Sequence, residues 1–164
     1  SLKIPRLTNR DLPEYAHRPG QTVHPKKPGG HLYNEDEFDA EILNSQNWWI
    51  NEFYLYGLDL INNGYFWEAH EAWESVWNAC NRKGDEADFL KALIKITAVC
   101  LKRQMNQGIH ATAHIDRARE LFRKVHKNKG ESFLGFHLKT LFGILEKLED
   151  NRALKTLVVY PDEL

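Results

Sequence analysis

"EADFLKALIKITAVCLKRQMNQ", residues 86–107, decides the fold. Phe89, Leu90, Leu93, Ile94, Ile96, Val99, Cys100 and Leu101 recur at helical spacing and cover most of the circumference, where a half-buried strand would simply alternate. The first turn is acidic, as the positive end of a helix dipole favours. A helix that is apolar nearly all round must be surrounded, so this segment is expected to be the central and most buried element of an all-α protein. Lys91, Lys95 and Lys102 form its remaining polar stripe.

Helical periods continue on both sides. Upstream, about Tyr65 to Cys80 reads as one helix, and about Asn44 to Ile61 as another that closes at "NNG" with Gly64. Downstream, about Ile109 to Asn128 carries Ala111, Ile115, Ala118, Phe122 and Val125 on one face, and about Phe136 to Glu149 buries Leu138, Leu141, Phe142, Leu145 and Leu148. Gly64, Gly84, Gly108 and Gly130 read as helix stops. "KTLVVYPDEL", residues 155–164, is too short to form a sheet alone and is expected to lie extended on the bundle. No internal repeat or strand pair stands out. The expected architecture is a compact bundle of about five helices over residues 44–164, with residues 1–43 as an irregular arm packed on it. That arm is rich in proline, glycine and histidine, and "HRPGQTVHPKKPGGHLYN", residues 17–34, has neither the helix nor the strand period. Long irregular segments on compact domains are disordered or functional.

Composition removes several function classes. Lysine plus arginine, 22, nearly balance aspartate plus glutamate, 23, so no global field draws the chain to nucleic acid. No apolar run approaches the length of a membrane span. Cys80 and Cys100 fall inside apolar patterns, as small core thiols of a reducing compartment do, and a cytoplasmic location is expected.

The chemistry concentrates in "GYFWEAHEAWESVW", residues 64–77. On a helical wheel Phe66, Ala69, Trp73, Val76, Trp77 and Cys80 share one face. His70 lies at its edge and Glu74 just beyond, while Glu71 points further round and Glu68 nearly opposite. His70 and Glu74, four apart, can share a proton or a divalent metal such as zinc, with a third ligand supplied from elsewhere. Equally, His70 can simply hydrogen-bond Glu74 and hold a rotamer. His110 and His114 are a second pair at chelating distance, without an accompanying carboxylate or cysteine. Lys95 and Lys102 are either a solvated face or cations that reach Glu68 or Glu71 and bind an anionic ligand.

"NGYFWEAHEAWESVW" followed by "ADFLKALIKITAVCLKRQMNQGIHATAHIDRARELF" resembles the domain-of-unknown-function family three hundred and nine. That family shows a glycine, aromatics, "EAHE", a glutamate and a tryptophan, then a helix like "FLxGLIxLAA". The resemblance spans about Asn63 to Phe122, with Ala92 in place of a family glycine. The arm is similar to a "PG…HP…GHxY" segment that precedes the domain in longer members. Members have been labelled predicted metal-dependent hydrolases, and the resemblance points to Glu68, His70, Glu71, Glu74 and Trp77, with Lys95 and Lys102. It makes His24 and His31 of the arm candidates to close over His70 and Glu74.

The expectation is therefore a polar pocket between the second and third helices, covered by the arm. His70 and Glu74 with His31 or His24 are expected either to hold a divalent metal or to act metal-free as acid and base, with Glu71 as a base for a water, Lys95 or Lys102 stabilising developing negative charge, Glu68 and Trp77 as cofactor-binding residues, and hydrolysis as the reaction class. The expected partner is a small, anionic ligand, with no nucleic acid, no membrane and a homodimer as an option. The rival expectation is a non-enzymatic helical module whose "EAHE" cluster is a structural polar network and whose Trp48, Trp49 or Trp67 contact a partner.

Overall fold

The computed structural model describes residues 3–32, 38–107, 111–150 and 157–164. It is an all-α bundle of five helices: α1 (Glu52–Asn62), α2 (Phe66–Ala79), α3 (Asp85–Gln104), α4 (Thr112–Lys129) and α5 (Leu138–Glu149). Successive helices pack in sequence order, α1 on α2, α2 on α3, α3 on α4 and α4 on α5. Among the described residues no helix is long and apolar enough to cross a membrane.

The first helix starts later than its apolar pattern indicates. Trp48–Ile50 form a single 3₁₀ turn, and the chain then breaks at Asn51, which is extended at φ −76°, ψ 104°. Asn51 is buried; its side chain accepts from the Tyr54 N–H at 3.1 Å and donates to the Glu41 carbonyl at 3.2 Å, so it caps α1 and fixes the incoming strand of chain together. Trp48, expected to be exposed, is buried; a Cβ added at Gly135 would lie 2.7 Å from its ring.

A short antiparallel hairpin, β1 (Ser132–Phe133) with β2 (Phe136–His137), stands where continuous helix was expected from Phe136. Its two-residue turn, Leu134–Gly135, has positive φ at both positions, 51° and 91°, the geometry that matches strand twist in tight hairpins. The Tyr54 hydroxyl donates to the Leu134 carbonyl at 2.8 Å and so ties α1 to this turn. After α2 the chain reverses through Asn81 and Arg82, both at positive φ, and Gly84 opens α3 instead of ending α2. Gly130 does close α4, whereas Gly108 lies outside the described residues. Residues 157–164 run without regular structure over the bundle: Asn62 and Val159 exchange two hydrogen bonds of 2.8 Å, and the His137 N–H donates to Asp162.

The most buried helix is α1, not α3. Every residue from Phe53 to Ile61 is buried, including Asp59, while α3 keeps a partly open lysine stripe. The cause is the arm. The core covers one side of α1, and residues 6–12 cover another. Gly57 allows the closest approach on the core side, where the Trp73 indole presses on α1 and donates to the Tyr54 carbonyl at 3.0 Å.

Candidate functional site

Two buried carboxylates hold the arm. Asp59 of α1 accepts from the Leu7 and Thr8 backbone N–H groups at 2.8 and 3.0 Å, from the Thr8 hydroxyl at 2.7 Å, and pairs with Arg6 at 3.0 Å. Both of its oxygens are used. Glu68 of α2 is 3% exposed, and its Oε2 accepts from the His17 backbone N–H and from His31 Nε2, each at 2.9 Å. Its Oε1 is buried with no hydrogen-bond partner among the described residues. Burial pushes the Glu68 carboxyl up, against the pull of the His17 N–H and His31.

Glu68 and the His31 side chain, itself 3% exposed, line a cleft of about 510 Å³ between the arm and the outer faces of α1 and α2. Tyr56, Trp67 and Phe38 supply aromatic walls, and Glu71, about one helical turn along α2 from Glu68, also lines the cleft. The volume lies in the range of small-molecule sites. Trp67 is braced edge-on by His17 and His24, with ring centroids 4.9 and 5.5 Å away. His17 is buried in turn, and its Nδ1 lies 2.7 Å from the Thr22 hydroxyl. Arg10 also lines the cleft, but its guanidinium stacks over Phe53 at 4.9 Å and pairs with Glu52 at 3.2 Å. The Tyr56 hydroxyl donates to the Asp11 carbonyl at 2.7 Å and fixes the arm beside it.

The expected site residues are dispersed over five places. Glu68, Glu71 and His31 share the cleft. His70 and Glu74 pair with each other, Nε2 to Oε2 at 2.6 Å, with side chains 35% and 46% exposed. His24 stands beside Trp67 and His17, and its Nδ1 accepts from the Lys26 N–H at 3.2 Å. Lys95 and Lys102 lie toward α4: burial lowers Lys95, with Lys91 and Arg117 adding to it, and Lys95 and Lys102 lower His114 beyond the effect of its own burial. Trp77 carries Lys91 Nζ 4.4 Å above its ring and the Arg82 guanidinium at 5.0 Å, outside the cleft. The cleft is thus formed by the arm with α1 and α2, and the α2–α3 position expected for it is core packing. His110 lies outside the described residues, and with it the His110–His114 pairing.

A metal shell is not assembled by these residues. Among the described residues no group of three or more His, Cys, Asp or Glu side chains is disposed to hold a metal ion. Of the four expected donors, His70 and Glu74 pair with each other, His31 is bonded to Glu68 and His24 stands beside Trp67, where a structural or catalytic zinc needs at least three protein ligands. Sequence reasoning missed His17, Tyr56, Arg10 and Asp59. Only Asp59 announced itself, as one carboxylate inside the apolar run "FYLYGLDLI", residues 53–61. The rest take their roles from contacts made 42 to 51 residues away along the chain.

No curated protein and no solved structure matches the chain. A family model does match, over α2, α3 and most of α1, so that Glu68 and Glu71 fall within the match and His31 precedes it. Residues 54–113 match the family described as "Domain of unknown function (DUF309)".

Proposed function

We propose that this protein binds a small organic molecule in the arm-covered cleft and acts on it by metal-free proton transfer, with hydrolysis as the reaction class. The observation that carries the reading is the contrast between the two buried carboxylates. Asp59 is satisfied at both oxygens by the arm and has nothing left to offer. Glu68 is equally buried, lines the cleft and keeps an oxygen without a donor. A buried acceptor left open costs about 1–3 kcal/mol, which a purely structural anchor would have no reason to carry.

The hydrogen bond to Glu68 sets the roles. His31 donates through Nε2, so its Nδ1 carries the lone pair and is the base, and Glu68 holds the ring in that tautomer. His31 takes a proton from a water and returns it to the leaving group, while the Glu71 carboxylate on the same cleft positions the substrate.

The second reading keeps Glu68 as an arm anchor like Asp59 and places function on the exposed apolar residues Ile42, Trp49 and Ile50, as an interaction module. Turnover of a panel of small esters and amides by the full chain, beside Glu68→Gln and His31→Asn, separates the two. A loss of about 10²-fold or more in both variants with the fold retained supports the proton-transfer reading. Equal rates in all three proteins, or a wild type inert to the whole panel, leaves the interaction module.

A further inference from the structure

The charge of the cleft points to the class of its occupant. Four acidic residues line it: Asp11 and Glu14 from the arm, Glu68 and Glu71 from α2. Arg10 is the guanidinium on the same wall, and it is already committed to Glu52 and to the rings of Phe53, Tyr56 and Phe38. His31 shares its proton with Glu68, and Lys26 and His24 act on Glu71 from the arm side. A negative balance still remains after these pairings.

A negative lining alone would fit any cation, and two further features narrow it. Glu68, one of the lining residues, has its Oε1 buried with no donor among the described residues, so the wall of the cleft holds an acceptor that needs an N–H or O–H. The walls are aromatic, from Tyr56, Trp67 and Phe38, and the space of about 510 Å³ is far larger than a bare ion requires. Carboxylates combined with aromatic faces recognise organic ammonium groups: the ring quadrupole attracts the charge, the face receives the attached carbon, and the carboxylate accepts the N–H. We infer that the cleft takes a protonated organic amine, its ammonium directed to Glu68 and Glu71 and its carbon skeleton against Trp67 and Tyr56. This rests on the reading of the cleft as a small-molecule site. It also departs from the anionic ligand expected for Lys95 and Lys102, which stand toward α4.

The experiment uses the full chain at neutral pH with matched probes: propylammonium, benzylammonium and phenylbutylammonium, each beside the corresponding alcohol and carboxylate. Binding is followed by NMR at the Trp67 indole N–H and the His31 ring. The expected result is binding of at least one ammonium probe about 10-fold or more tighter than its alcohol, a difference of about 1.4 kcal/mol, with no binding of the carboxylate. Glu14→Gln together with Glu71→Gln, which leaves the Glu68 anchor intact, is expected to remove most of that preference. Alcohols or carboxylates that bind as well as the ammonium probes overturn the cation assignment while the small-molecule reading stands. If none of the probes perturbs Trp67 or His31, both fail.

Discussion

His17 and His31 converge on one atom: the backbone N–H of the first and Nε2 of the second both lie 2.9 Å from Glu68 Oε2. The arm between them, residues 17–31, is thereby closed into a loop on a single oxygen of α2. Removing that oxygen releases both ends at once. Glu68→Ala is expected to lower stability by about 2–3 kcal/mol, and Glu68→Gln, which keeps an acceptor in place, by about 1 kcal/mol. Urea unfolding gives the totals, and amide exchange at His17 shows whether the arm has left before the helices unfold.

Asp59 governs the other end of the arm. Asp59→Ala removes the acceptor for three hydrogen bonds and the partner of Arg6, and a loss of about 2–4 kcal/mol is expected. Fast exchange at Leu7 and Thr8 with slow exchange retained in α3 would mark local release of the arm; uniform exchange would show that the arm and bundle unfold together.

His70 and Glu74 are expected to matter little to the fold. Their pair is close, 2.6 Å, but both side chains are more than a third exposed. Exposed pairs four apart on a helix contribute about 0.3–0.5 kcal/mol, so His70→Ala is expected to shift the urea midpoint only slightly. Zinc titration of the wild type and of His70→Ala, read by calorimetry, is expected to give no difference in tight binding, because the pair has no third donor among the described residues.

The cleft also sets a pH dependence. Burial pushes the Glu71 carboxyl above its ordinary 4.5, Glu74 adding to the push and His70, Lys26 and His24 opposing it. The folded state then binds more protons than the unfolded one above that value, so this group's contribution is full below 4.5 and is lost as pH rises through the folded value. Glu71→Gln is expected to gain on the wild type as pH is raised from about 4 to about 7, in urea midpoints. His17 has the opposite sign. Burial lowers it from 6.5, so its contribution is present above 6.5 and is lost as pH falls through the lowered value; His17→Gln is expected to flatten that acid limb.

Gly57→Ala tests the packing of α1 on α2. The added Cβ would fall 2.0 Å from the Trp73 indole nitrogen, and both residues are buried. The helix propensity gained, about 1 kcal/mol, is outweighed by overpacking of about 3 kcal/mol or more. A melting temperature at or above that of the wild type would show that the two helices separate easily.

Local patterns told most of the fold and little of the site. Phe89 through Leu101 show the helical period because neighbours in sequence bury the same face, and the spacing survives whatever else the chain does. The hairpin at Phe133–Phe136 was hidden because two-residue strands are too short to alternate visibly, though "LG" at its turn was the available signal. Glu68 was placed correctly opposite the tryptophan face, but a wheel that knows one core reads the opposite face as solvent. Here the arm makes a second buried surface, and so Glu68 and Asp59 are inside. His31 was named through resemblance and then joined to Glu68 instead of His70, a pairing across 37 residues that no spacing rule contains.

That second surface gives the chain an order of assembly. Residues 6–31 are synthesised before the carboxylates that receive them, and each of those contacts closes a loop of 37 to 52 residues. Contacts so far apart form late, after the helix pairs whose partners are near in sequence. Docking of the arm onto its two acidic sockets is therefore expected to follow the pairing of α1 with α2 that builds them. A refolding experiment followed at Trp73 and at Trp67 should resolve it, the core tryptophan reaching its native signal first and the cleft tryptophan following.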